Sequence, residues 1–585
     1  MTDVRHLVVS QREQMGEMAA QAAALLGECA AVMAALTAPG APFETATAER
    51  FGRALPIFKH APESLPALFA HFCAEHAGAE FLVDGALRLS FAQVYAAARR
   101  LALVLVARHG VARGDRVGVA ASNSPAFVVA LMAVMMAGGC ATLLNAKWTA
   151  PELAGAVALA GCSLVLADEK RAGRLAESGA RVLVFAHTHP DTAFAAWGAA
   201  AEDTPLPEMA GGDLATLLFT SGSSGQPRGV MSDHRGVVQA VMNFLAQAAM
   251  VLAIAQRRGQ VVPKQQVALV CVPLFHVTGL VPLLLQSLPM GRKLVFLPRW
   301  DARAAMAMIE AERVSYFLGV PLMSHEIATH PERAAFDLSS CGYFSAGGAA
   351  RPEAQVGAIR RALPHAFALN FYGLTEANGL GAGNLNEACL ARPESVGRAS
   401  APLVELAILG PDGAALPAGQ EGEIGIRSIG TMRGYWGEAE ATSAAFTPEG
   451  FLRTGDIGVI DAAGYCTITG RAKDIVVRGG ENVSCLEVEL ALLAHPGVAE
   501  AAVFALADAR MGEVPLALWR ARDGVVPPEE AELRAFLAAR LAPFKIPARF
   551  IRAEQELPRL ASHKLDRHTL RLCYAGDGQS DMQQR

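Results

Sequence analysis

The chain has 585 residues, 52% of them apolar and 18% charged, with a formal net charge of -5. A chain of that length and apolar content is globular rather than disordered and long enough for roughly two to four domains. Its Lys and Arg are dispersed among Asp and Glu, so no basic stripe can neutralise a phosphate backbone, and nucleic acid is excluded as a partner.

Residues 1–62 are Ala- and Met-rich with helical spacing as far as the Pro/Gly cluster TAPGAP, and are expected to form a helical extension that caps the main body or serves a homodimer contact. The N-terminus lacks the uninterrupted apolar region of a secretory signal. From 63 to 470, short β-branched runs alternate with Ala-rich helical stretches, which predicts a large α/β domain with helices covering parallel sheets. Its most apolar run, Phe127 to Ala137, is about half the length a membrane span needs and reads as a buried helix, so no integral span is expected. Residues 471–575 shift to short strands and turns followed by helices, a small α+β domain, and 576–585 form a polar tail expected to be disordered. The ten cysteines fall singly, without metal-ligand or redox spacing, as expected of free thiols in a reducing cytoplasm.

The sharpest local feature is LLFTSGSSGQPRGVM, Leu217 to Met231, where an apolar strand runs into a loop of hydroxyls and glycines. Gly222, Gly225 and Gly229 let backbone N–H groups approach a polyphosphate, while Thr220, Ser221, Ser223, Ser224 and Arg228 offer further donors to its oxygens. The loop is not a Walker loop, because it lacks the Lys followed by Ser or Thr. Alone, it is also compatible with a flexible Ser/Gly surface loop.

It is followed, in order, by PLFHVTGL (273–280), AGGAARP (346–352), NFYGLTE (370–376), SVGRA (395–399), GEIGIRS (422–428), FLRTGDIG (451–458), GRAKDIVVRGGENVS (470–484) and LPRLASHKLDRHTLR (557–571). With the loop, these segments resemble the adenylate-forming superfamily of acyl-CoA synthetases, luciferases and nonribosomal-peptide adenylation domains, across about residues 63–572. The resemblance implies a large multi-sheet N-terminal domain and a small mobile C-terminal domain, with ATP, magnesium and coenzyme A as cofactors or co-substrates. It also implies roles for individual residues. Tyr372 would stack on adenine beside Phe371, with Asn370 reading the exocyclic amine and Gly347, Gly348 and Ala349 forming a small-residue wall. Thr375 would contact the α-phosphate and Glu376 would hold magnesium. Asp456 would accept hydrogen bonds from the ribose hydroxyls with Arg471 assisting. Lys564 would bridge acid and phosphate as two anions meet.

For the second step, Lys473 resembles the hinge about which the small domain turns, Gly479 and Gly480 would leave room for a pantetheine arm, and His276 resembles a gate at the thiol tunnel. Two departures from the family stand out: His563 precedes the lysine where glycine is usual, and Cys485 stands where many relatives have proline. The acyl pocket is expected from segments after His276, from 317–323 and from 373–383. No Lys or Arg is seen there to pair a second carboxylate, so a medium- or long-chain fatty or aryl acid is favoured over a dicarboxylate or amino acid. The sequence therefore predicts a carboxylic acid–CoA ligase, with an acyl-AMP ligase loading a separate carrier protein, or an inactive nucleotide-binding homologue, as alternatives.

Overall fold

The computed structural model describes residues 2–187, 189–221, 227–347, 353–472, 474–478, 481–508, 510–560 and 563–574. The N-terminal segment is helical only from Thr2 to Thr37. The helix stops at Pro39 and Gly40, and the chain continues as an antiparallel hairpin, Thr45–Arg50 with Arg53–Phe58, in place of the helix expected to about residue 62. Phe51 and Gly52 both take positive φ, the two-residue turn whose twist matches paired strands. The buried Arg50 pins this hairpin to the body, with Nη1 2.9 Å from Asp233 Oδ2 and Nη2 donating to the Thr431 carbonyl.

Among the described residues, the remaining strands form sheets of seven, thirteen and five. In the seven-stranded sheet, parallel strands built from runs such as Arg116–Ala120 and Leu164–Asp168 lead to an antiparallel hairpin, Leu214–Ser221 with Pro227–Asp233. Asp233 caps the next helix, His234–Arg257, by accepting from the Gly236 N–H at 2.7 Å. Pro125–Met136 is a helix with every position buried, which is why it is apolar all round.

The thirteen-stranded sheet changes character at one strand, Phe367–Gly373. On one side this strand pairs parallel with Tyr343–Gly347, and on the other antiparallel with Gly381–Leu385. A change of strand direction opens a crevice at the strand ends, the usual place for a ligand in such sheets. Gly373 is required there: a Cβ would lie 2.1 Å from the Gly379 carbonyl oxygen.

The small sheet begins at Ile475 and has its own apolar cores around Val488, Val503 and Leu537 and around Phe504 and Leu570. Two helical stretches, Ala20–Thr37 and His234–Arg257, are long and apolar enough to cross a membrane by length and composition; the second is mostly buried in the protein. The cysteines are all unpaired, as expected.

Candidate active site

Asp456 is the centre of a polar cleft. It lies in the strand Leu452–Ile460 beside an irregularity in the ladder at which Gly455 takes φ +71 and donates its N–H to Glu423 Oε1 at 2.9 Å. The Tyr372 hydroxyl donates to Asp456 Oδ2 at 2.8 Å, and Arg471 Nε donates to Oδ1. Each carboxylate oxygen thus takes one protein bond and keeps a lone pair for one hydroxyl of a diol. Burial, and then the neighbouring Asp456 charge, push the Tyr372 phenol well above its usual range, so it remains a donor.

Glu376 is the middle residue of the short turn Thr375–Ala377 that follows the switch strand. Its Oε1 accepts from the Tyr435 hydroxyl at 3.1 Å. Tyr435 in turn carries the Arg228 guanidinium over its ring, 5.4 Å from the centroid, and Arg228 pairs with Glu438 at 3.1 Å. Across the hairpin, Arg228 is the register partner of Thr220. The two legs of the hydroxyl-rich loop therefore reach Glu376 through Tyr435. Burial is the main influence on Glu376 and raises its carboxyl above the ordinary value.

Lys564 enters this cleft from the small domain, on a tight loop closed by pairing of Arg559 with Leu565. The loop is anchored by Glu500, which accepts from the Leu557 N–H at 3.1 Å and pairs with Arg559 and Arg520. The Lys564 ammonium lies within electrostatic reach of Arg471, Asp456 and Glu376; burial, then Arg471, lower its pKa. Lys564 and Arg471 stay solvent-accessible although protein surrounds them on most sides, the geometry of a cleft rather than a core, so their desolvation is partial. His563 takes φ +61, the left-handed conformation that explains why glycine is the usual residue before such a lysine. His276 is pushed down to about 4 by burial and by Lys564, so its ring is neutral at neutral pH.

A cavity of about 550 Å³ lies against the same switch strand, at Leu369 and Phe371. Phe371 lines it, together with Phe244 and Met250 of the helix His234–Arg257. Leu25, Leu26 and Met33 of the N-terminal helix close another side. Successive residues of a strand point to opposite faces, so Tyr372 turns to Asp456 while Phe371 turns into this cavity.

Two family models match the chain, "AMP-binding enzyme" over residues 69–436 and "AMP-binding enzyme C-terminal domain" over 487–564. A feruloyl-CoA synthase from Amycolatopsis sp is 34% identical over 82% of this chain and 93% of its own length. The long-chain-fatty-acid–CoA ligase FadD13 of Mycobacterium tuberculosis is 32% identical over 84% of this chain and 94% of its own. The chain belongs to the AMP-binding enzymes. It is an adenylate-forming, AMP-forming acid–CoA ligase. The fold agrees: the o-succinylbenzoate CoA synthetase of Bacillus subtilis in complex with its acyl-adenylate is 27% identical and superimposes with a TM-score of 0.75 over 87% of this chain and 99% of its own.

Of the residues expected at the site of this AMP-binding enzyme, the structure brings Tyr372, Asp456 and Arg471 into contact and gathers Thr375, Glu376, Arg228 and Lys564 around the same cleft. Asn370 and Gly347 lie on adjacent strands at the sheet's switch. Gly222, Ser223, Ser224, Gly225, Gly348, Ala349, Lys473, Gly479 and Gly480 lie outside the described residues, as do the Ser221 side chain and the tail 576–585. Phe371, expected beside adenine, is placed in the apolar cavity. Residues 317–323 do not line that cavity: Tyr316 does, and Phe317, next along the strand, turns to the other face and stacks on Phe344 with ring centres 4.6 Å apart.

Two cations, Arg292 and Arg398, are among the residues lining that cavity. Arg292 lies outside every motif and is brought in only by packing. Tyr435 and Glu500 were missed for the same reason. Cys485 starts the helix Cys485–Leu493, and its N–H donates to the Asp474 carbonyl at 3.0 Å, a bond that proline could not make.

Proposed function

We propose that this acid–CoA ligase activates a carboxylic acid with a mainly apolar alkyl or aryl body, held in the cavity lined by Phe244, Met250 and Phe371. The observation that carries this is one strand, 367–373, whose faces serve the two compartments: Tyr372 on the polar cleft, Phe371 on the apolar cavity. An acid in that cavity would present its carboxylate at the strand's end, next to a nucleotide in the cleft.

In the first half-reaction a carboxylate oxygen attacks the α-phosphorus of ATP and pyrophosphate leaves. Asp456 holds the ribose through its two free lone pairs. Tyr372 packs against adenine with Asn370, Gly347, Gly348 and Ala349 around it, and Thr375 binds the α-phosphate. The hydroxyls and glycines of 220–225, with Arg228, hold the outgoing pyrophosphate. Lys564 lies between two anionic reactants, where its charge counts most as the new bond forms. The neutral His276 ring adds no further positive charge beside it.

Glu376 suits magnesium: its Oε1 accepts from Tyr435, which fixes the carboxylate, and one carboxylate plus substrate phosphates is a common set for this ion. The ion would neutralise phosphate charge.

In the second half-reaction the CoA thiol attacks the acyl carbon and AMP leaves. Lys564 must then vacate the cleft, with Lys473 as the pivot, Gly479 and Gly480 lining the pantetheine path, and His276 gating it. The test is an acid panel with ATP and magnesium, with and without CoA, following pyrophosphate, AMP and thioester. Release of pyrophosphate with medium-length alkyl or aryl acids, and thioester only with CoA, supports the assignment. Pyrophosphate without acyl-CoA, rescued by a carrier protein, would replace CoA with the carrier. No pyrophosphate with any such acid overturns the assignment.

A further inference from the structure

Arg292 is buried, 2% exposed, at the end of a turn that leads into the strand Lys293–Phe296. Its guanidinium lies over the Tyr316 ring, 4.4 Å from the centroid. Nη2 has two weak neighbours, Gln266 Oε1 at 3.4 Å and the Met290 sulfur at 2.6 Å. Nε and Nη1 are buried and have no hydrogen-bond partner. Among the described residues no carboxylate lies within ion-pairing distance of it. Glu405, the carboxylate lining the cavity, pairs with Arg427, and Arg398, another cation lining it, is solvent-exposed.

A buried charge without a counter-ion is costly, and native structures rarely leave two guanidinium donors unpaired. Deprotonation does not relieve the cost: burial pushes the guanidinium down only to about 10, so it stays charged at neutral pH. The side chain lines the cavity that receives the acid. From this geometry we infer that Arg292 is a specificity-determining residue, pairing with a second carboxylate at the far end of the acid substrate. The inference rests on the proposed reading of that cavity as the acyl pocket.

The sheet register sets the length of such an acid. Tyr316 pairs with Tyr343, and Tyr343 with Phe367, four residues before Phe371. Tyr316 is therefore two strands across from Phe371, about 10 Å, and four residues back, about 13 Å, or about 16 Å on the diagonal. An extended aliphatic chain or a fused-ring body bridges that gap; a two- or three-carbon diacid does not. The two-donor edges of a guanidinium both include Nη2, which here faces Gln266 and Met290, so the unpartnered Nη1 offers a carboxylate oxygen one charge-assisted bond.

The experiment compares decanoic, dodecanoic and tetradecanoic acids with their α,ω-diacids and the ω-methyl esters of those diacids, reading kcat/KM from pyrophosphate release and the KM for ATP. The wild-type enzyme, which needs no variant, is expected to prefer the diacid over the monoacid of the same length by about 100-fold, with the neutral ester between them. Arg292→Met, close in volume and uncharged, should reverse that preference while leaving the KM for ATP unchanged, and Arg292→Lys should restore part of it. A wild-type enzyme that prefers monoacids at every length overturns the inference, as does a preference unchanged in Arg292→Met. Ala248→Phe, which adds bulk to the same cavity, keeps the two readings apart. If it lowers kcat/KM for all these acids by about 10-fold while the diacid preference is absent, the pocket reading stands and only the role of Arg292 falls. If it affects none of them, the pocket reading falls and takes this inference with it.

Discussion

The polar cleft and the apolar cavity share a strand, yet they are built in opposite ways. Cleft residues come from contiguous motifs in which backbone geometry aims the side chain: the φ +71 glycine before Asp456, the left-handed His563 before Lys564, the glycine contact that shapes 373–379. Cavity residues come from segments distant in sequence, Leu25, Phe244, Arg292 and Phe371 among them, which meet only through packing. A nucleotide is the same in every related enzyme, so its site can be held in local backbone form. The acid differs, so on the proposed reading its site is left to side chains that can vary without disturbing the local backbone.

The largest test of this contrast is Lys564→Ala. It should lower acid-dependent pyrophosphate release by about 10²- to 10³-fold while thioester formation from a supplied acyl-adenylate persists. Equal loss in both would show that the lysine serves the cleft as a whole. Next is Asp456→Ala, which should raise the KM for ATP by roughly 10- to 100-fold through lost charge-assisted bonds and change the ranking of acids little. A changed ranking would show that cleft and cavity are not separable.

The helix His234–Arg257 lines the cavity, and its first residue gives a pH signature. His234 is fully buried, accepts the Leu65 N–H on Nδ1 at 3.2 Å, and is pushed down to about 4 by burial. The unfolded chain, with a pKa near 6.5, binds the proton first as pH falls. The contribution is therefore fully present above about pH 6.5 and is lost as pH falls toward 4, about 2 kcal/mol of it by pH 5. Urea denaturation across that range should show the slope, and His234→Gln should flatten it; an unchanged slope would assign it to other groups. The smallest effect is at the loop carrying Lys564. His563→Gly relieves a left-handed non-glycine residue and should raise stability by about 1 kcal/mol in thermal or urea melts. A loss instead would show that the His563 side chain holds the loop.

Much of the cleft was legible because its chemistry is written in short segments: RTGD brings Asp456, NFYGLTE brings Tyr372 and Glu376, and SHK brings Lys564. Tyr435 and Glu500 were not legible, since each acts on a residue far away in sequence, Glu376 and the Lys564 loop respectively. The N-terminal segment was legible as an apolar helix, but not the hairpin after Thr37, where buried Arg50 and its bond to Asp233 decide the outcome.

By itself, the sequence determined the alternation of strands and helices, the order of the motifs and the chemistry of a nucleotide-activating site, because local backbone form and residue type suffice for each. Tertiary structure decided which face of strand 367–373 turns to the polar cleft and which to the apolar cavity. It also decided that the N-terminal helix walls the cavity and that Arg292, silent in the sequence, lies buried there without a counter-charge. Those facts depend on register and on packing between segments hundreds of residues apart, which no local pattern encodes.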